Sequence, residues 1–106
     1  MTTTGPQDHA HYHAKASKRT DAKARAICAD LGLTIIDVDI PHYAPSFARV
    51  YVHQDLPHPY QHDAFCKHVD AHGVRLEAYG MELRLDVLTP FFSIRVPEGQ
   101  GDEQLD

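Results

Sequence analysis

The 106-residue sequence has 42% hydrophobic and 24% charged residues, which is ordinary for a globular chain, and its length suits one domain. No apolar run reaches the roughly 20 residues that a membrane-spanning helix needs, and no secretory signal is visible. Two cysteines, Cys28 and Cys66, are too few for a disulfide framework. We therefore expect a reduced protein in the cytoplasm.

Charge is distributed unevenly along the chain. Residues 1–25 have a net charge of +3 and residues 26–106 have a net charge of −8, within a formal total of −5. An acidic body repels phosphate backbones and attracts basic protein surfaces. The basic stretch over residues 15–25 would make only salt-sensitive phosphate contacts, so direct nucleic-acid binding is not expected.

The first predicted elements are a tail and a helix. Residues 1–16 are polar, rich in histidine and without an apolar period, which predicts a flexible tail. A helix is predicted over Lys18–Leu31, because apolar residues recur there at spacings of three and four. Gly32 then lies where a left-handed residue commonly ends a helix.

Two strands are predicted next, over Leu33–Ile40 and Phe47–His53, because their apolar residues alternate. A short loop with two prolines joins them and favours an antiparallel pair. In the first strand, alternation assigns Asp37 and Asp39 to one face. The opposite face of that strand is then expected to hold Thr34, Ile36, Val38 and Ile40.

A second helix is predicted over Tyr60–His72, after a proline-rich turn. Phe65 and Val69 lie one helical turn apart and would supply its core contacts. Gly73 would end this helix as Gly32 ends the first.

Alternating apolar residues after the second helix predict two or three further strands. The alternation changes phase at Gly80, and a glycine at such a point suggests a bulge or a turn. After Gly80 a strand is predicted to run without a break through Met81, Leu83, Leu85 and Val87. Thr89 and Pro90 interrupt the pattern before a last short strand over residues 92–96. The final segment, residues 98–106, has four acidic groups and no basic ones, which predicts disorder.

The predicted order of elements is helix, strand, strand, helix, strand, strand. We therefore expect a single α+β domain over residues 17–97. In this two-layer sandwich both helices cover one face of a mostly antiparallel sheet of four or five strands. The helix-free face should carry Asp37, Asp39, Arg49, Tyr51, His53, Glu82, Arg84, Asp86 and Arg95.

Histidine and cysteine spacing offers a metal-binding alternative for zinc, nickel or copper. His62 with Cys66, and His68 with His72, lie one helical turn apart, but the two pairs point in different directions around the helix. Alternate histidines in the N-terminal segment would bind such ions opportunistically. No metalloenzyme pattern, phosphate-binding loop or nucleophile elbow is present, so we predict no metal, no cofactor and no catalytic residue.

Four short segments match a known order of motifs, namely Leu31-Gly-Leu-Thr-Ile-Ile-Asp-Val-Asp39, Arg49-Val-Tyr-Val52, Asp63-Ala-Phe-Cys-Lys-His-Val69 and Leu83-Arg-Leu-Asp-Val-Leu-Thr-Pro90. Through them, residues 26–90 resemble the N-terminal domain of the bacterial ribosome maturation factor P family. The resemblance implies the helix-strand-strand-helix-strand fold. It also implies docking on the small ribosomal subunit during its assembly.

We predict a small, non-catalytic, acidic binding protein, an adaptor or inhibitor that docks on the basic surface of a protein or ribonucleoprotein. Two versions stay open: a ribosome-assembly factor, and a phage or mobile-element inhibitor of a nucleic-acid-binding machine, as anti-CRISPR proteins are. The acidic residues would face the basic surface, and arginine and tyrosine would anchor the contact. The predicted partner-binding residues are Asp37, Asp39, Arg49, Tyr51, Glu82, Arg84 and Asp86.

Overall fold

The computed structural model describes residues 5–56 and 62–97. The elements in chain order are α1 (Gly5–Leu31), β1 (Ile35–Asp39), β2 (Phe47–Val52), α2 (His62–Asp70), β3 (Arg75–Arg84) and β4 (Val87–Arg95). The four strands form one antiparallel sheet in the order β1-β2-β4-β3. The predicted α+β class and the predicted order of elements are confirmed.

The hydrophobic core lies between the sheet and the two helices, which cover one of its faces. Phe65 and Val69 of α2 are buried, as predicted, and the Phe65 ring meets the Phe92 ring edge-on with 5.7 Å between centroids. Gly32 and Gly73 have φ of 70° and 76°. Helix α1 ends at Leu31 as predicted, whereas α2 ends at Asp70, two residues before its predicted end, and a turn leads from it to Gly73. The buried core residues are Ala24, Ile27, Cys28, Ala48, Val50, Val52, Phe65, Val69, Val74, Phe92, Ile94 and Val96.

Helix α1 begins well before its predicted start. Residues 5–16 belong to this helix rather than to the predicted tail over residues 1–16, and the predicted domain start at residue 17 falls inside α1. The side chain of Ala16 is buried, and the Thr20 hydroxyl lies within hydrogen-bond distance of the Ala16 and Pro45 carbonyls, between which its single hydrogen is shared. The predicted acidic tail over residues 98–106 lies outside the described residues.

Two irregularities shift the faces of the edge strands. In β1 the register changes between Ile35 and Asp37, so Ile36 is 44% exposed while Ile35 packs against the core. Our assignment of Ile36 to the core face was therefore wrong. In β3 the register changes between Leu76 and Ala78, not at Gly80 as predicted. Each extra residue in a strand turns the residues beyond it to the other face.

A tight turn joins β3 to β4. Arg84 pairs with Val87, and the two residues between them, Leu85 and Asp86, have φ of 49° and 66°. Positive φ at both positions is the signature of a two-residue hairpin turn of type I′. The predicted continuous strand through Leu83–Val87 was wrong, and so was the predicted interruption at Pro90, which lies inside β4.

Candidate functional site

Five of the seven predicted partner-binding residues meet on the helix-free face of the sheet, which we call the open face. Asp37 comes from β1, Arg49 and Tyr51 come from β2, and Glu82 and Arg84 come from β3. The alternation of each strand turns these side chains away from the buried residues beside them in sequence. We call these five residues the open-face cluster.

Arg49, Tyr51 and Glu82 form the centre of the cluster. Nη1 of Arg49 lies 2.6 Å from Oε1 of Glu82, and the Tyr51 hydroxyl donates a hydrogen bond of 3.2 Å to the same oxygen. Burial raises the pKa of Tyr51, whose side chain is only 5% exposed. Burial opposes the charge of Arg49, but hydrogen bonds to Tyr51 and Glu82 outweigh it and raise its pKa. These groups hold one another in fixed positions.

Arg84 bridges the two edges of the sheet. Its Nη2 lies 3.1 Å from Oδ2 of Asp37, and its guanidinium carbon lies 4.0 Å from the centroid of the Tyr51 ring. Arg84 and Asp37 lie on the two edge strands, β3 and β1. Neighbouring strands are about 4.8 Å apart, so in a flat sheet these two strands would be roughly 14 Å apart. The end of the β3–β4 hairpin therefore leans across the open face.

The other two predicted residues lie apart from the cluster. Asp39 is exposed at the end of β1. Asp86 lies in the hairpin turn instead of on the predicted strand face. In the part of the chain that the structure describes, neither carboxylate has an ion pair, whereas Asp37 and Glu82 are each paired with an arginine.

Sequence reasoning missed two phenylalanines and one glutamate on the open face. The guanidinium of Arg49 stacks over the Phe91 ring at 4.6 Å, and that of Arg95 lies 5.3 Å from the Phe47 centroid. Glu77 accepts a hydrogen bond of 2.9 Å from Nε of Arg95. The alternation of core residues in β4 would have identified Phe91 had it been extended one residue toward the N-terminus.

Glu77 gives the open face a measurable pH dependence. The hydrogen bond from Arg95 lowers the pKa of Glu77, so the stability it contributes is present at neutral pH and is lost as pH falls through its folded-state pKa. We expect Glu77→Gln to reduce the loss of unfolding free energy between pH 7 and pH 3 by about 0.2–1 kcal/mol, because the pair is partly exposed. Urea unfolding at the two pH values measures this, and an unchanged difference would contradict it.

The end of the β3–β4 hairpin is strongly apolar at its surface. Leu85 in the turn is 98% exposed, and Leu83 and Val87 on either side are each 62% exposed. Contiguous exposed apolar residues on a folded domain commonly mark an interaction site. We call this set the hairpin tip, and its members are Met81, Leu83, Leu85, Val87 and Leu88.

Among the described side chains, the geometry gives the metal-binding alternative little support, and the side chains of His62 and of the N-terminal histidines lie outside the described residues. His68 and His72 of α2 both approach Asp30 of α1, with distances to Oδ2 of 3.7 Å from Nδ1 of His68 and 3.3 Å from Nε2 of His72. Even so, no group of three or more His, Cys, Asp or Glu residues among those described is arranged to hold a metal ion. Burial raises the pKa of the Cys28 thiol to about 11, so its reactive thiolate is scarce at neutral pH.

Comparison with known proteins gives no relative. No family model, curated protein or solved structure matches this chain. The resemblance to the ribosome maturation factor P family therefore stays a prediction. None of the described helices is both long and apolar enough to cross a membrane.

Proposed function

We propose that this chain is a non-catalytic protein-binding domain of the cytosol, which docks on a basic surface of a protein or ribonucleoprotein through its hairpin tip and open face. The observation that carries the proposal is that the two surfaces adjoin at the hairpin turn, where Leu85 and Val87 lie beside Arg84, whereas Met81, Leu83 and Leu88 lie on the other side of the hairpin. Arg84, next to the exposed Leu85, is itself a member of the open-face cluster through its contacts with Tyr51 and Asp37.

The composition of this combined surface is that of a binding site. Protein interfaces concentrate apolar residues at their centre, and arginine and tyrosine contribute much of the binding energy there. The hairpin tip supplies the apolar part, and the ion pairs of Arg49 and Arg84 hold those two side chains in position before any partner arrives. Residues that are already ordered lose less conformational entropy on binding.

The distribution of charge on this surface favours a basic partner. Each arginine of the open face has a carboxylate beside it, because Arg49 pairs with Glu82, Arg84 with Asp37 and Arg95 with Glu77. Arg75 lies opposite Arg95 and shares Glu77 with it, which leaves one positive charge, whereas Asp39 and Asp86 add two exposed negative charges. The attraction to a basic surface would then come from these two residues and from the acidic body as a whole.

Neutralising Asp39 and Asp86 is expected to weaken partner capture about 3- to 10-fold at low salt, because exposed charge pairs each contribute less than about 1 kcal/mol. The variant is Asp39→Asn/Asp86→Asn, since asparagine tolerates the positive φ of Asp86. Partners are first isolated with the immobilised full chain from a host lysate and identified, and their affinities are then measured with purified components at low and high salt.

The matched control is Asp55→Asn/Asp70→Asn, which removes two exposed charges away from the open face. Equal affinity of the two variants, or capture that salt does not weaken, would contradict the proposal. Recovery of ribosomal particles would identify the partner as an assembling ribonucleoprotein. Recovery of one nucleic-acid-binding protein, displaced by DNA or RNA, would identify an inhibitor.

A further inference from the structure

Strand β3 is the longer of the two edge strands of the sheet, with ten residues against five in β1. Among the described residues it pairs on one side only, with β4. Proteins commonly protect a sheet edge with lysine, proline or a bulge, because an open edge can pair with another chain. The bulge of β3 lies before Ala78, so residues 78–84 are regular, and they include no lysine and no proline. This stretch of β3 therefore has none of those protections.

The charged side chains of this stretch do not protect the edge either. Glu82 accepts a hydrogen bond from Arg49 of β2, and Arg84 lies over the ring of Tyr51 and against Asp37 of β1. Both side chains are therefore drawn across the open face toward the other strands, away from the outer edge of β3.

The hairpin turn determines which backbone groups of β3 point outward. Arg84 and Val87 flank a two-residue turn and direct their backbone groups at each other. This direction alternates along an antiparallel strand, so Glu82 also faces β4. The backbone N–H and C=O groups of Met81 and Leu83 therefore point to the outer edge of the sheet.

The side chains of these two residues are apolar and exposed. Met81 is 51% exposed and Leu83 is 62% exposed. The register places Leu83 opposite Leu88 of β4, on the same side of the sheet as the buried Phe92. A strand added to this edge would thus bury two apolar side chains and satisfy the backbone groups of the same residues.

We propose that β3 pairs antiparallel with β3 of a second copy of this chain, with Met81 opposite Met81. The two methionines then exchange both backbone hydrogen bonds across a twofold axis, and each Leu83 lies beside Tyr79 of the second copy. The two four-stranded sheets become one sheet of eight strands. Because each copy uses the same edge, the contact closes as a dimer.

Charge on the open face favours this register over its neighbours. With Met81 opposite Met81, Glu82 lies opposite Gly80 of the second copy and Arg84 lies opposite Ala78, so no like charges meet. Moving the second strand by two residues in one direction would place Glu82 opposite Glu82, which is unfavourable. Moving it by two residues in the other direction would place Leu83 opposite the bulge at Glu77.

The dimer goes beyond the proposed function and does not depend on it. It uses the members of the hairpin tip on the helix-covered side of the sheet, and it leaves the open-face cluster uncovered on both copies. Either proposal can therefore fail without the other. Seven residues from each copy make a contact below the standard interface size, so we expect a reversible dimer with a Kd of roughly 10–100 μM.

Sedimentation equilibrium of the purified full chain, from roughly 5 to 500 μM, tests the proposal across the expected Kd. We expect the unmodified chain to change from monomer to dimer over this range. Met81→Lys should weaken dimerisation about tenfold or more, because each dimer loses two buried methionines and gains two like charges opposite each other. The control is Ile36→Lys, which places the same charge at an exposed apolar residue of the other edge strand, β1.

Circular dichroism first establishes that both lysine variants keep the fold. A chain that stays monomeric throughout the range would overturn the proposal. Dimerisation of Met81→Lys that is as strong as that of Ile36→Lys would also overturn it, since the contact would then lie elsewhere.

Disulfide formation under mild oxidation tests the register without adding charge. Cα atoms of a hydrogen-bonded antiparallel pair are about 5.5 Å apart, which a disulfide can span, so Met81→Cys should form a dimer linked from residue 81 to residue 81. The control is Leu83→Cys, whose two copies would be separated by four residues along the strand, roughly 14 Å. Mass spectrometry of the linked peptides distinguishes these links from links through Cys66. Faster linkage of Leu83→Cys than of Met81→Cys, or no linkage through residue 81, would overturn the proposal.

Discussion

Replacing Phe92 by alanine is expected to lower the free energy of unfolding by about 3–5 kcal/mol. Phe92 is 0% exposed, lies in β4 between β2 and β3, and meets the ring of Phe65 from α2. Its removal opens a cavity where the sheet and α2 join, and the surrounding side chains cannot fill that cavity without moving the backbone. A domain of this size has only about 5–15 kcal/mol of stability in total.

Urea unfolding followed by circular dichroism measures this effect, with Tyr43→Ala as the control. Tyr43 is also aromatic but is 79% exposed, so its loss should change the unfolding free energy by less than about 0.5 kcal/mol. If the Phe92→Ala variant is too unstable to measure, Phe92→Leu reports the same position with a smaller cavity. Equal stabilities of the Phe92 and Tyr43 variants would contradict the described core.

The core and the order of elements could be predicted because they depend on local periodicity. In β2, buried Ala48, Val50 and Val52 alternate with residues of the open face, and the sequence alone shows this pattern. In α2, Phe65 and Val69 follow helical spacing in the same way. The prediction of sheet faces was wrong where a bulge interrupts the alternation. One extra residue, at Ile36 in β1 or Glu77 in β3, turns every following side chain of that strand to the other face of the sheet.

Two other errors came from weak sequence signals. The first half of α1 has no apolar stripe, and we took that absence to mean the absence of a helix, although a helix can continue beyond the core that it covers. The hairpin turn at Leu85 and Asp86 has neither the asparagine nor the glycine that usually marks a type I′ turn. Nothing in the local sequence therefore separates β3 from β4.

The open-face cluster could be predicted as a set but not as a network. Alternation places Arg49, Tyr51, Glu82 and Arg84 on one face, whatever the order of the strands. Which carboxylate meets which arginine depends on β4 lying between β2 and β3 and on the hairpin leaning over the face. The sequence therefore predicted four acidic residues as contacts for a partner. In the structure two of them, Asp37 and Glu82, already form ion pairs with arginines of the same face.

The hairpin turn leads to the second prediction with a large effect, in which stability and binding change in opposite directions. Leucine at a φ of 49° is strained by roughly 1–2 kcal/mol, because its Cβ approaches the following carbonyl. Asparagine adopts this conformation readily. We expect Leu85→Asn to raise the free energy of unfolding by about 1 kcal/mol and to weaken partner capture tenfold or more, because an exposed leucine buried on binding contributes about 1.5–3 kcal/mol.

Asp86→Gly separates strain from contact. It relieves the positive φ of the next residue, 66°, while leaving Leu85 in place. Its unfolding free energy, measured in urea, should also rise, and its affinity for the isolated partner should fall much less than that of Leu85→Asn. Equal losses of affinity would mean that Leu85 does not contact the partner. The expected result would instead explain why a leucine occupies a position better suited to asparagine, since backbone strain of this kind persists where the side chain serves a function.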